Sequence, residues 1–507
     1  MNGYDFMKRS PTTSGAIALL LTLTLSGLAA AQEGRTALTL KEAIRSAAEK
    51  NLDVKAELYN PAVAEADIQK NRAIYDPNVT ALTNYGENSS SSQSVGSAII
   101  STLKSFNLNA GVNRLLPYGG TVALAFTNNW TRTESTINNN EYFQNGIAVT
   151  VSQPLLKNFG QETTELNISL ARFGKEASRD QFETKLTAII TQVRTEYFKL
   201  YSLREDLEVK KTSLALARKV LDETTARVKA GVLPAMEILN AEFNVSTRES
   251  AVISAERSLQ DERELLRTLI QGGEAGEIDP VDPPFTDPYP IAQESALKEA
   301  RDHRPELKQL GESLKSSELQ ERVSRNKLLP DLSVIATGGL QGIDGSYGRQ
   351  WETLSRVDYP NWQIGFNFAY PLGNNAAKND YIRNRLKSEQ LRTQIRSQEE
   401  SIDNEVRSAI RGVQSGYKQL DVTKRGSAYA EEVLNAYIKK AAVGLATTKD
   451  VFDVQTNLVT AKGAEIQAKT GYDNALTQYW KATGELLRRE GIRIDAGDAD
   501  ALYGKMK

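Results

Sequence analysis

Gly231-Val232-Leu233-Pro234-Ala235-Met236-Glu237-Ile238-Leu239-Asn240-Ala241 interrupts a helical pattern that fills Thr163 to Val228 before it and Ala235 to about Gln271 after it. Glycine is the usual residue just past a helix C-terminus, and proline suits a first helical turn. The stretch therefore reads as the tip of a very long helical hairpin. It recurs as Gly444-Leu445-Ala446-Thr447-Thr448-Lys449-Asp450-Val451-Phe452-Asp453-Val454, and the offset from Gly231 to Gly444 equals that from Glu237 to Asp450. A chain that makes the same hairpin twice is a duplicated, rod-like object.

The stripe before the first tip includes Leu166, Leu170, Phe173, Phe182, Leu186, Ile189, Val193, Tyr197, Leu200, Leu207 and Leu221, spaced mostly by threes and fours. Unbroken, such a helix is on the order of 100 Å long at about 1.5 Å per residue. A single globular core cannot use that length, so the stripe must pack on other long helices as a coiled coil or a helical wall. A second long helix, Asn375 to Ala441, carries Ile395, Ile402, Val406, Val413, Leu420, Leu434 and Ile438.

Shorter helices precede these in each half. Leu38 to Asn51 has Thr39 and Glu42 at capping-box spacing, and a further pattern from about Pro61 stops at Asp76-Pro77. Residues 78–155 then change character: Asn, Ser, Thr and Gly dominate, and period-two alternation appears in 79–85, 106–112, 121–127 and 146–153. The Ser-rich 88–97 and Asn-rich 135–145 segments read as exposed loop tips. Strand-like Leu332 to Leu340 and Trp362 to Pro371, joined by a Gly-rich loop, answer them in the second half. Such runs fit transmembrane barrel strands, and strand by strand they fit a soluble sheet equally well.

The expected organisation is a signal peptide at 1–31 and a first repeat at 32–271, with strands about 76–155 and a hairpin at 162–271. A linker at 272–293 comes next, then a second repeat at 294–489, with strands about 331–371 and a hairpin at 375–489, and a tail at 490–507. The leader rests on Lys8 and Arg9, the apolar run from Ala16 to Leu25, and Ala29-Ala30-Ala31. Beyond it no apolar run reaches the length of a membrane helix, which leaves a soluble exported protein or a β-barrel.

Composition narrows the chemistry. The 507 residues carry 62 basic and 64 acidic side chains, net −2, so no nucleic-acid footprint shows. With no cysteine and one histidine, disulfides and thiolate chemistry are excluded, and His-based metal or triad chemistry nearly so. His303, beside Arg304 and Pro305, reads as a solvated residue at a helix end. Neither a phosphate loop nor a nucleophile elbow nor a His-Glu metal spacing is present, so neither an enzyme nor a cofactor is expected. Asp450 and Asp453, three apart, share one face of the first turn of the second return helix. They either complement the helix dipole or, around an axis of three chains, form stacked carboxylate rings that attract cations. Glu237, with Asn240 three residues on, is their counterpart at the first tip.

Tandem copies, strand pairs feeding long hairpins and the tip Val443 to Asp453 resemble the TolC family of outer-membrane efflux proteins over roughly residues 38–490. The resemblance implies a mainly α fold with membrane β-barrel strands. Three chains would share one β-barrel in the outer-membrane lipid and one α-barrel across the periplasm. It further implies a periplasmic adaptor at the tips and an inner-membrane transporter that supplies the energy. By position Asp450, Asp453 and Glu237 match an aperture, while Gly231, Val232, Leu233, Gly444 and Leu445 match adaptor-contacting tips. The sequence departs from the pattern twice. Ala441 and Ala446 stand where the best-known members latch the entrance with a tyrosine and an arginine, leaving Lys440 or Lys449 as substitutes. The run 105–127 adds two strands to the family's usual two per repeat, as an extracellular extension or as more barrel wall. An exported coiled-coil tether of the envelope shares the leader and the long helices but needs no duplicated strand pairs. An adaptor would show one hairpin between β-rich domains.

Overall fold

The computed structural model describes residues 36–94, 97–135, 139–272, 277–494 and 496–506; the expected leader at 1–31 lies outside them. In chain order the elements are β1 (Thr36–Leu38), α1 (Leu40–Lys50), α2 (Leu52–Arg72), β2 (Asn78–Ser94), β3 (Ser97–Leu115), β4 (Thr121–Ser135), β5 (Asn139–Pro154), α3 (Gln161–Thr164), α4 (Leu166–Lys229), α5 (Met236–Ile270), β6 (Ile278–Pro280), α6 (Gln293–His303), α7 (Pro305–Asn326), β7 (Asp331–Asp344), α8 (Tyr347–Ser355), β8 (Tyr359–Ala369), α9 (Asn375–Ala442), α10 (Thr448–Thr483), α11 (Leu486–Arg489) and α12 (Ala496–Met506).

Four helices stand abreast at every level. Near the tips α4 packs between α5 and α10, with α9 beyond α10; nearer the strands α4 packs between α2 and α7, with α9 beyond α7. The change of partner is made end to end. Asn51 accepts from the N–H groups of Asp53 and Val54 to start α2, and its Nδ2 donates to the Leu269 carbonyl at the end of α5 (2.9 Å). Arg304, just ahead of α7, donates to the Ala482 carbonyl near the end of α10 (3.2 Å). Each copy thus satisfies the orphan carbonyls of its lower helix with the residue that opens its upper one. Helix α2 begins well before the expected Pro61, which lies inside it. The Asn51 cap fixes the start, and a proline costs the helix one N–H bond without ending it here.

Each copy has its own apolar core. One gathers Ile44, Ile190, Tyr197, Leu200 and Leu266, and the other Ile402, Val406, Tyr472 and Leu476. A third cluster, with Ala217, Ala241, Val245 and Phe452, joins the copies toward the tips. Between the copies the chain is pinned by two tyrosines. Tyr197 Oη donates to the Leu38 carbonyl (2.8 Å) and accepts from the N–H groups of Val281 and Asp282. Tyr472 Oη donates to the Asp287 carbonyl (2.8 Å) and accepts from the N–H of Tyr289. At the α4–α10 seam buried Arg194 reaches Asp473 (3.1 Å), Thr477 and Glu490, with its guanidinium over the Trp480 ring. Burial pushes the Asp473 carboxyl up against the pull of Arg194.

The other end is a single antiparallel sheet in the order β2-β3-β4-β5-β7-β8. Its ladders run to the ends of the strands, Ser94 pairing with Ser97 and Glu134 with Asn139. The segments expected as loop tips at 88–97 and 135–145 are therefore mostly strand. Backbone pairing holds them, helped by contacts such as Ser89 Oγ to Thr102 Oγ1 (2.9 Å), so side-chain alternation is not needed. Alternation sorts the rest into two faces. Val79, Val112, Leu124, Val149, Phe366 and Trp362 share one; the other carries Asn, Thr, Ser and Gln. Trp362 is 81% exposed, Phe366 73% and Val79 72%. An apolar face this open in water belongs against another apolar phase.

The expected Gly-rich loop between β7 and β8 contains α8, which lies on that apolar face. Trp351 stacks on Phe126 (5.9 Å) and Tyr347 meets Phe143 edge-on (5.7 Å). Gln350, fully buried, donates to Asn128 (3.4 Å), so α8 covers the place where Asn128 and Asn145 break the apolar pattern. Gly342 permits the approach: a Cβ there would come within 2.1 Å of the Gln350 carbonyl oxygen. Arg349, Glu352 and Arg356 are exposed; Arg349 pairs with Asp344 at the end of β7 (3.0 Å), and Arg356 with Glu352.

Candidate functional site

The two tips close with the same geometry. Gly231 has φ +70° and Gly444 φ +79°, the left-handed region where a side chain is strained. Gly231 N–H donates to Val228 and Val232 N–H to Arg227 (both 2.9 Å). Gly444 N–H donates to Ala441 (3.2 Å) and Leu445 N–H to Lys440 (2.9 Å). Both are Schellman closures that satisfy the last carbonyls of α4 and α9. They leave apolar residues at the extremities, Val232 70% and Leu445 77% exposed, with Leu233 half-buried. Among the residues expected to face an adaptor, Gly231, Val232, Gly444 and Leu445 are thus presented outward.

The return helices start differently. At the second tip Thr447 and Asp450 form a full capping box. Asp450 Oδ2 accepts from the Thr447 backbone N–H (2.8 Å) and hydroxyl (2.7 Å), and the Asp450 N–H donates to Thr447 Oγ1 (3.1 Å). These bonds hold the Asp450 carboxyl below its ordinary 3.8. Asp453 stands exposed one turn further along, behind buried Phe452. At the first tip α5 begins after Ala235 with no side-chain cap, Pro234 lying just ahead of it. Glu237 there is partly exposed. A single chain does not gather the three acids, since Glu237 sits on α5 and the aspartates on α10, with α4 between. No group of three metal-ligating side chains occurs among the described residues.

What joins the tips is Arg227, which the sequence did not single out. Its Nη1 donates to the Ala441 carbonyl (2.9 Å), tying the end of α4 to the end of α9. Beside this bond lies a crevice of about 110 Å³ lined by Val220, Glu223, Ile438, Ala441, Thr448 and Val451. Further from the tips Gln455 Nε2 on α10 donates to the buried Ser213 carbonyl of α4 (2.6 Å), and Arg248 on α5 donates to Thr456 Oγ1 of α10 (2.6 Å). Lys440 lies over the ring of Tyr437 (5.1 Å).

A two-faced antiparallel sheet continuous with duplicated helical hairpins defines a class, the outer-membrane efflux proteins. The chain belongs to that family, whose model, described as outer membrane efflux protein, matches residues 43–272 and 296–485. It is similar to the outer membrane protein TolC of Salmonella enteritidis, 24% identical over 296 residues, which cover 57% of this chain and 60% of that protein. The match thus spans less than two thirds of that relative. In fold it is similar to the CmeC outer membrane channel of Campylobacter jejuni (TM-score 0.62, 15% identity, covering 96% of this chain and 99% of that one). The outer membrane protein VceC of Vibrio cholerae is comparable (TM-score 0.62, 13% identity, covering 88% and 96%). No described helix is long and apolar enough to cross a membrane, which bears on helices and not on the sheet.

Proposed function

We propose that three copies of this chain form an outer-membrane exit duct, the sheets closing into a barrel in the lipid and the helices into a tunnel across the periplasm. The observation that carries this reading is the open apolar face of the sheet, built into the same chain as two exposed hairpin tips. Hydrocarbon matches that face, and only closure satisfies a sheet within hydrocarbon. The duct is passive, and an inner-membrane transporter drives export through it by way of a periplasmic adaptor.

At the tunnel mouth Asp450 and Asp453, with Glu237, line the aperture as rings of carboxylate that favour cations. Asp450 spends its Oδ2 on its own helix N-terminus, so Asp453 contributes the more available charge. Gly231, Val232, Leu233, Gly444 and Leu445 contact the adaptor. Reconstitution in planar bilayers tests the reading: trimers should give discrete cation-preferring channels, and Asp450→Ala plus Asp453→Ala should weaken that preference. A protein that gives no channels would overturn the duct; unchanged selectivity in the double variant would remove the acids from the aperture. Val232→Glu with Leu445→Glu should abolish cross-linking to an adaptor while leaving the channels intact.

A further inference from the structure

We infer that the barrel wall contains eighteen strands, six from each of three copies, closed where β8 of one copy pairs with β2 of the next. This rests on the trimeric reading above. Strands β2 and β8 are the two edges of the sheet. In hydrocarbon their free N–H and C=O groups need partners, and in a symmetric ring the partner is a second copy of this chain. The strand sense allows it. Strand β2 leaves the helical end and β8 returns to it, so an even number of strands closes with every neighbour antiparallel.

The extra pair β3 and β4 belongs to this wall. Strand β3 pairs with β2 from Asn78↔Asn113 to Ser94↔Ser97, and β4 with β5 from Thr121↔Ser152 to Glu134↔Asn139. The pair also keeps the two faces in register, placing Val112 and Leu124 beside Val79 and Val149.

Four helices abreast, at about 9.5 Å between axes, occupy an arc of about 38 Å per copy, and six strands spaced about 4.8 Å and tilted about 40° occupy about the same. The outlet is then about 36 Å across between backbones. Its inner face carries Asn107, Asn109, Thr127, Asn129 and Gln144, polar and uncharged. Such an outlet passes bulky hydrated cargo without sorting ions, leaving selection to the tips.

The natural absence of cysteine makes cross-linking clean. In the full-length protein, Thr80→Cys on β2 is combined in turn with Asn361→Cys, Gln363→Cys or Asn367→Cys on β8, all on the polar face, and oxidised in native membranes. One of these rungs should give disulfide-linked trimers on denaturing gels. Thr80→Cys with Ala148→Cys on β5, three strand spacings or about 14 Å apart, should not link. Trimers in which that β2–β5 pair links, or a strand count of twelve by electron cryo-microscopy of the wild-type trimer, would overturn the eighteen-stranded wall while leaving the duct standing. A wild-type protein that runs as a monomer in native mass spectrometry would instead remove the trimeric reading beneath it.

Discussion

The two hairpin tips share a turn and differ in how the next helix begins. Both stop a long helix with a left-handed glycine and the same pair of backbone bonds, yet only the second restarts with a capping box. Stopping a helix at a fixed place has few chemical solutions, and duplication has kept one of them. Starting one has many. The first tip relies on the packing of Ala241 and Val245, while the second adds Thr447 and Asp450. The difference teaches that the turn is common scaffold and the restart is where only one tip carries a side-chain cap.

The likeness of the tips breaks most readily at the shared turn. Gly231→Val and Gly444→Val should each cost about 1–2 kcal/mol locally by forcing a branched side chain to positive φ. Amide exchange at Val232 and Leu445 should rise by similar factors; a large inequality would show that the turns are not equivalent. Next comes the bond between the tips. Arg227→Gln should weaken the α4–α9 junction by about 1 kcal/mol and raise the open probability of reconstituted channels, since Ala441 loses its donor.

Thr447→Ala should then erase much of the asymmetry, costing about 1 kcal/mol in the first turn of α10. Pro234→Ala at the first tip has no cap to remove, and exchange in the first turn of α5 should hardly change. Acid should do the same work reversibly. Folding holds the Asp450 carboxyl below 3.8, so its contribution is present above that pH and is lost as the pH falls through the lowered folded value. Exchange in the first turn of α10 should accelerate on that descent. The smallest expected effect is the sharpest discriminator within the proposed aperture: Asp453→Asn should reduce cation preference more than Asp450→Asn.

Much of this was legible because it is written in side chains of special conformation or regular spacing. Gly231 and Gly444 mark the tips, and stripes such as Leu186, Ile189 and Val193 mark the helices. What escaped has its reason in the backbone. The upper parts of β2 and β5 are Ser and Asn tracts whose ladder needs no alternation. Arg227 finds a main-chain carbonyl, and a carbonyl has no sequence signature. Asn51 closes one helix and opens the next, so a reading that allowed it only the first role placed α2 too late. The tip acids stand out in the sequence by spacing alone. The capping role of Asp450 was also written there, since Thr447 and Asp450 have the same capping-box spacing as Thr39 and Glu42, but its reading as an aperture residue hid it.

Helix α8 has a consequence for depth. It lies against the apolar face of the sheet and leaves Arg349, Glu352 and Arg356 exposed. Charged groups in that position cannot sit among acyl chains. In the proposed duct the fatty layer then ends beneath this ledge, and the helix acts as a waterline that sets how far the cylinder sinks.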